Sequence, residues 1–356
     1  MKALYIPSSS YHDMHAKTYA GWVKILEYQE AAIRQAGLDV VVPEVPENYI
    51  DNASSFSQIA SYSLYVGIFS MMNKFDLIIG SPSYAHHAFF LNNNLPKRIG
   101  VVWNQADWFR DKQLQEEFER NDSDYPTLPI NNLMNEVSLS LCDRVIANSH
   151  FVKKTHAELV PEEKISIAPW GVDSEMFFPA TEKPPGLRVL FFGSNPIRKG
   201  LAYADRAVID AGEAVSEFWV LGCSPEKLDV PENSKVRVLG MVPHAEVPEI
   251  IRQCHVLLLP TLEDGMPLAV QEAMACGVVP ITTEVGAEAF DDCRSGFVVP
   301  YRDPGAITKY LKLLHDSPDL LNTMSREARR KAETQTWVKF VNAFASIIEE
   351  VMHDIP

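Results

Sequence analysis

The sequence lacks several features that would assign it to a common class. Its five cysteines are scattered and odd in number, and no CxxC pair occurs, which argues against a disulfide framework or a zinc site and favours a reducing compartment. No stretch approaches the ~18 apolar residues of a membrane span. The N-terminal segment turns polar at Ser8, too early for the apolar region of a signal peptide. We therefore expect a cytoplasmic protein without a transmembrane segment.

Positive charge is also scarce. The 356 residues include 32 Lys and Arg against 47 Asp and Glu, a formal net charge of −15. A nucleic-acid binder needs a basic stripe to displace phosphate counterions, and a polybasic membrane anchor needs clustered cations. The charge balance therefore predicts that nucleic acid is not a partner and argues against a polybasic anchor.

Short apolar runs alternate with longer helical patterns along the chain, which is typical of βαβ units around a parallel sheet. Twelve strands are predicted, at 3–6, 40–42, 77–79, 100–103, 145–147, 165–168, 187–192, 218–221, 236–239, 256–259, 279–282 and 297–299. Residues 304–353 are nearly all helical in pattern, and a helix over about 16–36 ends at Gly37. A segment rich in Pro and Gly at 169–186 separates the strands into two groups of six. The pattern predicts two βα domains, with ligands bound at the carboxyl ends of strands in the interdomain cleft.

The segment 261–277 is the most informative part of the sequence. Asp264 and Gly265 form a predicted turn, Pro267 suits the first position of a helix, and that helix ends at Gly277. A turn that leads into a helix N-terminus presents backbone N–H groups to phosphate or sugar oxygens.

Two carboxylates flank this predicted helix N-terminus. Asp264 precedes it and Glu272 lies just over one turn inside, so both can accept hydrogen bonds from hydroxyls of a ligand lying across the turn. In a plainer interpretation, which the spacing fits about equally well, Asp264 only caps the helix and Glu272 lies on a solvated face.

A second candidate site follows the strand at 187–192, where Arg198 and Lys199 lie in a predicted strand-to-helix turn. Arg can hold a phosphate through paired donors, and Lys acts as a point charge. The alternative, two solvated cations at the start of a helix, is disfavoured because the helix dipole repels cations there. The pair therefore predicts an anion site.

The sequence from Asp264 to Gly277, DGMPLAVQEAMACG, resembles the signature of retaining glycosyltransferases of family 4. That family has Glu, seven residues and Glu; here Asp264 takes the first place and Glu272 the second, a change that bears on which sugar is recognised. Glu263 is adjacent, but the following Gly265 favours Asp264 as the equivalent. Further stretches that match the family lie at 146–149, 168–173, 192–200 and 238–243, together with Trp337 and the helix after it.

The resemblance implies an α/β protein of the GT-B fold, with two Rossmann-like βαβ domains facing an interdomain cleft. Residues 1–172 would form the acceptor-side domain, 173–335 the nucleotide-sugar domain, and 336–356 a closing helix that crosses back. The implied reaction is retaining transfer of a sugar from a nucleotide diphosphate, with UDP as the first choice, to an acceptor hydroxyl. The acceptor class is left open between a small molecule, a glycan and a lipid-linked molecule.

The resemblance also assigns roles to residues. The expected catalytic residues are Arg198 and Lys199, which would stabilise the leaving diphosphate without a metal or other cofactor, and Asp264, which would orient the sugar. Glu272 would accept hydrogen bonds from the ribose. The other expected donor-binding residues are Ser194, Met241, Val242, Gly265, Met266, Pro267 and Leu268.

The N-terminal half matches the family less well. The family's glycine-rich loop is replaced by SSSYHDMH at 8–15, and the His expected after the strand at 100–103 is replaced by Asn104 and Gln105. These amides can donate hydrogen bonds to a sugar but cannot act as acid or base. The expected residues on the acceptor or sugar side are Ser10, His86, Asn104, Gln105 and Asp107.

Four histidines of this half allow other interpretations. His86 and its neighbour His87 also fit histidines at a helix start whose partners are protein groups. His12 and His15 have a possible metal spacing, but an HxxH in a loop is weak evidence.

Two alternatives on the same fold stay open at the level of sequence. A nucleotide-sugar epimerase would need an acid or base beside the sugar, which Asn104 and Gln105 do not supply. A nucleotide-sugar binding protein would be stabilised by nucleotide without consuming the donor. A phosphorylase of the glycogen type would need a pyridoxal-binding Lys, which these motifs do not imply.

Overall fold

The computed structural model describes residues 1–7, 20–43, 55–92, 96–120, 125, 129–223 and 235–353, without the side chains of 20–23 and 55–59. The chain divides into two compact units. Unit 1 comprises residues 1–112, 124–169 and 338–356, and unit 2 comprises residues 113–123 and 170–337. The chain therefore passes between the units four times.

Most of the helices lie between successive strands along the chain, and the last three follow the last strand. They are α1 (Ala20–Gln35), α2 (Ser55–Met72), α3 (Pro82–Leu91), α4 (Asp107–Arg120), α5 (Pro129–Ser140), α6 (His150–His156), α7 (Leu201–Ala211), α8 (Val247–Ile251), α9 (Leu268–Ala275), α10 (Pro304–Asp316), α11 (Pro318–Glu333) and α12 (Trp337–His353). Among the described residues, no helix combines the length and the apolarity that a membrane span requires.

Unit 1 is built on a six-stranded parallel sheet. Its strands are β1 (Lys2–Ile6), β2 (Asp39–Val41), β3 (Leu77–Gly80), β4 (Lys97–Val102), β5 (Arg144–Ala147) and β6 (Ile165–Ile167), in the order β2-β1-β3-β4-β5-β6. The strands β1, β3 and β5 are almost continuously buried, as expected of a parallel sheet covered on both faces. The last helix, α12, adds Phe340 and Phe344 to this unit, where both rings lie 6.5 Å from Trp103.

Unit 2 has a second parallel sheet with the Rossmann strand order. Its strands are β7 (Arg188–Phe192), β8 (Glu217–Leu221), β9 (Val236–Gly240), β10 (Val256–Leu259), β11 (Val279–Thr282) and β12 (Phe297–Val298), in the order β12-β11-β10-β7-β8-β9. The chain runs outward from β7 to β9 on one side and from β10 to β12 on the other. The strand order therefore reverses between β7 and β10, and open α/β sheets bind their ligands at the carboxyl ends of the strands at such a reversal.

The sequence-based prediction of this architecture is confirmed. Each of the twelve predicted strands is present, with ends that differ by up to three residues. Gly37, predicted at the end of the first helix, has the left-handed φ of +80°. The five cysteines are free, and four of them are buried.

The predicted linker begins with a segment that is packed inside unit 2. The side-chain Nε2 of Gln271 donates to Trp170 O (2.8 Å), and Val172 N donates to Gln335 O (2.9 Å). A Cβ atom on Gly171 would lie 2.2 Å from the backbone N of Trp337. Only glycine therefore permits these two backbone segments to approach so closely.

Candidate functional site

The reversal of strand order in unit 2 brings two loops together: residues 193–200 after β7 and residues 260–267 after β10. The carbonyl oxygen of Arg198 accepts hydrogen bonds from Leu262 N (2.8 Å) and Thr261 Oγ1 (3.2 Å). Gly200 has a φ of +73°, and a Cβ atom there would lie 2.2 Å from Pro260 O. A side chain at position 200 would force the loops apart, so the glycine permits their contact.

Lys199 is buried between these loops. It is 8% exposed, its ammonium group contacts the carboxylate of Asp264, and its stem lies over Gly193, where a Cβ atom would be 2.8 Å from Lys199 Cγ. Burial lowers the pKa of Lys199 well below its usual value, the neighbouring Arg198 cation lowers it further, and Glu263 opposes both. The ammonium group is thus held where added negative charge would stabilise it.

Arg198 forms the second ion pair of the site. Its Nη1 lies 2.9 Å from Oε2 of Glu263; the Glu263 side chain is 1% exposed and that of Arg198 is 29% exposed. The backbone N of Arg198 donates to Asn195 Oδ1 (3.0 Å), which fixes the turn before the side chain. Arg198, Lys199, Glu263 and Asp264 together carry no net charge.

The structure corrects the plainer interpretation of Asp264 and the predicted place of Pro267. Helix α9 begins at Leu268, its N-cap residue is Pro267, and no side chain caps it. Asp264 lies too far upstream to be the cap: one carboxylate oxygen accepts from Gly265 N (2.9 Å) and the other faces Lys199. Pro267 precedes the helix rather than opening it, because its ψ of 115° is extended.

Glu272 is buried, at 7% exposed, so the interpretation as a solvated residue is wrong. Its Oε1 lies 3.2 Å from Nε2 of His244. The His244 ring also meets the ring of Phe177 edge to face, with 5.6 Å between centroids. Within the described part of the chain, His244 makes the only side-chain hydrogen bond to the Glu272 carboxylate.

Sequence reasoning did not identify His244 or the role of Glu263 as a partner of Arg198. His244 directly follows the segment 238–243 that resembles the family's base-binding stretch, but it lies 28 residues from Glu272, and no pattern joins the two. Glu263 was recognised only as a neighbour of Asp264. The Arg198–Glu263 pair depends on the contact between the β7 and β10 loops, and that contact depends on the strand order.

The other expected donor-binding residues differ in exposure. Ser194 is exposed, and Met241, which directly follows β9, is 50% exposed, while Val242 is half-buried. By contrast, Met266 is only 2% exposed, so its side chain belongs to the core.

The remaining expected residues of this segment lie at the start of α9. Gly265 and Pro267 are buried, and Leu268 is half-buried. Any contact that the buried positions make with a ligand would therefore come from their backbone.

In unit 1, the histidine pair lies in the middle of α3 rather than at its start. His86 Nδ1 is 2.8 Å from Ser138 Oγ and His87 Nδ1 is 2.9 Å from Ser63 Oγ. Burial lowers the pKa of both histidines, and for His86 the neighbouring His87 lowers it further. Protein groups therefore satisfy one nitrogen of each ring.

The remaining unit 1 candidates have different surroundings. Asn104 is exposed, Gln105 is buried, and Asp107 at the start of α4 forms an ion pair with Arg110 (2.5 Å) and accepts a hydrogen bond from Asn135 (2.7 Å).

Several unit 1 predictions cannot be placed. Ser10, His12 and His15 lie outside the described residues. Among the residues that are described, no group of three His, Cys, Asp or Glu side chains is arranged to hold a metal ion.

Part of the chain is similar to known glycosyltransferases. Residues 186–317 match the family described as "Glycosyl transferases group 1". The chain is 27% identical over 252 residues to the D-inositol 3-phosphate glycosyltransferase of Streptomyces bingchenggensis, covering 61% of this chain and 55% of that protein. The chain spans about half the length, or less, of the first curated relatives that it matches.

Solved structures show the same fold over nearly the whole chain. Sucrose-phosphate synthase from Thermosynechococcus elongatus aligns with a TM-score of 0.78 and 15% identity, covering 99% of this chain and all of that one. HepE from Anabaena, solved in complex with UDP, aligns with a TM-score of 0.71 and 13% identity, covering 98% of this chain and all of that one. The chain therefore has the GT-B fold, and the segment carrying Arg198, Lys199, Asp264 and Glu272 matches glycosyl transferases of group 1.

Proposed function

We propose that this protein is a retaining glycosyltransferase of family 4 that transfers a sugar from a nucleotide-diphosphate donor, with UDP as the first choice, to an acceptor hydroxyl. One observation carries the proposal. Arg198, Lys199 and Asp264 converge at the strand-order reversal of unit 2, inside the segment that matches glycosyl transferases of group 1. Open α/β sheets bind nucleotides at this position.

The proposed donor site combines anion and hydroxyl recognition. Arg198 and Lys199 would bind the diphosphate, and Glu272 would accept hydrogen bonds from the ribose hydroxyls. The backbone at Met241 and Val242, directly after β9, would contact the base. The half of the chain after residue 170 carries most of the negative charge, so recognition of an anionic donor must come from these local cations.

The two cations would stabilise the charge that develops as the diphosphate leaves. One well-placed donor of this kind contributes on the order of 3 kcal/mol to lowering a barrier. The Lys199 ammonium group is already desolvated and in contact with Asp264, so its interaction with a leaving phosphate would be little weakened by water. In this proposal the two side chains supply the positive charge, and the reaction needs no metal.

Asp264 would have two tasks. Its carboxylate contacts Lys199 and accepts from Gly265 N, which holds it rigidly beside the diphosphate position, where it would also orient the sugar. On the acceptor side we propose Asn104 as the accessible amide, since Gln105 is buried.

The experiment that tests the proposal measures products. The purified protein is incubated with UDP-, GDP- and ADP-sugars, and free nucleoside diphosphate and free sugar are quantified, since water can serve as a slow acceptor. The proposal expects release of both products from one class of donor, in equal amounts. If nucleotide raises the melting temperature but no donor is consumed over a day, the protein is a nucleotide-sugar binding protein instead. Conversion of one UDP-sugar into its epimer, with no UDP released, would support the epimerase alternative.

A further inference from the structure

Among the described residues of unit 2, Glu263 is the least exposed acidic residue. Its side chain is 1% exposed, its Oε2 lies 2.9 Å from Nη1 of Arg198, and within the described residues its buried Oε1 has no hydrogen-bond partner. Burying a carboxylate is costly unless it is paired. Glu263 is paired with Arg198, which is one of the two cations that the proposed function needs.

The geometry of the pair divides the guanidinium group into two sides. Nη1 of Arg198 is held by Glu263 from the protein interior. Within the described part of the chain, Nε and Nη2 of Arg198 donate no hydrogen bond, and the side chain is 29% exposed. Guanidinium groups bind phosphate through two parallel N–H donors. One side is thus fixed to the protein, while the side formed by Nε and Nη2 is left for an anion.

We propose that Glu263 is a positioning residue, which orients the Arg198 guanidinium so that Nε and Nη2 face the diphosphate of the donor; the inference rests on the proposed function. The backbone supports the same orientation, because Asn195 Oδ1 accepts from Arg198 N and Leu262 N donates to Arg198 O. A long flexible side chain is thereby fixed at both its base and its tip. Such fixing lowers the entropy cost of forming the transition-state contacts.

A purely electrostatic role for Glu263 predicts a different result. The four charged groups of the site sum to zero with Glu263 ionised and to +1 without it. If only charge mattered, removing the carboxylate would strengthen the binding of an anionic donor. Positioning predicts instead that the rate falls, because the guanidinium loses its orientation.

The two roles are separated by comparing Glu263→Gln with Glu263→Met. Gln keeps an acceptor for Arg198 Nη1 without the charge, whereas Met fills a similar volume and accepts no such hydrogen bond. Neither substitution strands a fully buried cation, since Arg198 is partly exposed. The matched control is Glu217→Gln, which weakens the Arg188–Glu217 pair (2.6 Å) at the opposite ends of the strands.

The assay measures UDP release from the active UDP-sugar, giving kcat and KM, with the Kd of UDP and UMP measured by calorimetry. We expect Glu263→Met to lower kcat at least about tenfold, while the Kd of UDP changes less than about threefold, because lost orientation and gained positive charge act in opposite directions. Glu263→Gln should recover kcat to within about threefold of the wild type, and Glu217→Gln should match the wild type.

Three results would overturn the inference. Equal kcat in Glu263→Met and the wild type would mean that Glu263 does not act through Arg198. Equal loss of kcat in the Gln and Met variants would mean that an acceptor for Arg198 Nη1 does not restore the rate, so that orienting the guanidinium group is not what Glu263 does. A wild-type protein that neither binds UDP nor turns over any UDP-sugar refutes the assigned UDP donor, and the inference with it. Wild-type activity with unaffected variants refutes the inference alone.

Discussion

Lys183, in the predicted linker segment, allows the pH dependence of the free energy of unfolding to be predicted. Its Nζ donates to Cys254 O (2.7 Å), just before β10, and to Gly277 O (2.9 Å), just after α9. One side chain therefore ties together the far ends of the two elements that present Asp264. Burial lowers the pKa of Lys183 from its usual 10.5 to about 8.

The direction in which stability changes with pH follows from the protons that the folded and unfolded states bind. Between the two pKa values the unfolded chain holds a proton on Lys183 that the folded protein does not, so stability rises with pH in this window. With a pKa of about 8 in the folded protein and 10.5 in the unfolded chain, Lys183 destabilises the fold by about 3.3 kcal/mol at pH 7 and by about 0.8 kcal/mol at pH 10. The wild type should therefore gain about 2.5 kcal/mol between pH 7 and pH 10 relative to Lys183→Met, an upper value because the side chain is only partly buried.

The groups around Lys183 do not obscure this difference. Burial raises the pKa of Cys254 and of Cys276 to about 12 and lowers that of His255 to about 4, so none of the three titrates between pH 7 and pH 10 in the folded protein. Other groups that titrate there are common to both proteins and cancel in the comparison.

The assay is urea-induced unfolding followed by circular dichroism at pH 7 and pH 10. Lys235→Met serves as control for loss of a lysine–carbonyl hydrogen bond at an exposed site, since Lys235 donates to Gly212 O. A wild type and Lys183→Met whose free energies of unfolding stay parallel from pH 7 to pH 10 would refute the reasoning.

Three further predictions concern the site. Gly200→Ala should destabilise by more than about 3 kcal/mol and abolish nucleotide binding, because a Cβ would clash with Pro260 O. Gly37→Ala, with similarly positive φ but open space, should cost only about 1–2 kcal/mol in the same urea titration. His244→Leu should weaken UDP binding but not the binding of its 2′,3′-dideoxy analogue, because the hydrogen bond to Glu272 is lost; equal weakening of both by calorimetry would contradict this. UDP binding should weaken as pH rises, beginning well below 10.5, because the pKa of Lys199 is lowered, and a Kd constant up to pH 10 would contradict this.

The fold was predictable from the sequence because parallel strands buried on both faces appear as short apolar runs. The runs at 256–259 and 279–282 coincide with β10 and β11 at both ends. Strand ends were predicted less well where a strand mixes charged and apolar residues. Strand β4 starts at Lys97, three residues before its predicted start, and its first two residues are charged and so do not belong to an apolar run.

The site was predictable only in part. Asp264, Glu272, Arg198 and Lys199 stood out by type and spacing, but their pairing could not be seen. The ion pairs join residues 65 apart in the chain, and they depend on β7 and β10 being neighbours. Local sequence carries no record of that adjacency.

His86 shows the opposite case. Its residue type suggested a ligand contact, but the packing of α3 on α5 gives its ring Ser138 and a backbone carbonyl as partners. A histidine in an apolar helix is satisfied by whichever polar groups the neighbouring helix presents, and these are known only once the helices are packed.

The central claim is that the loops after β7 and β10 bind the diphosphate of a nucleotide sugar. The most direct test is the rate of UDP release from UDP-sugars by the wild type, Arg198→Ala and Lys199→Ala, with Glu217→Gln as the folded control. The account predicts release by the wild type and by the control, and a loss of about 100-fold or more in each of the two cation variants. Full activity in both Arg198→Ala and Lys199→Ala would contradict it.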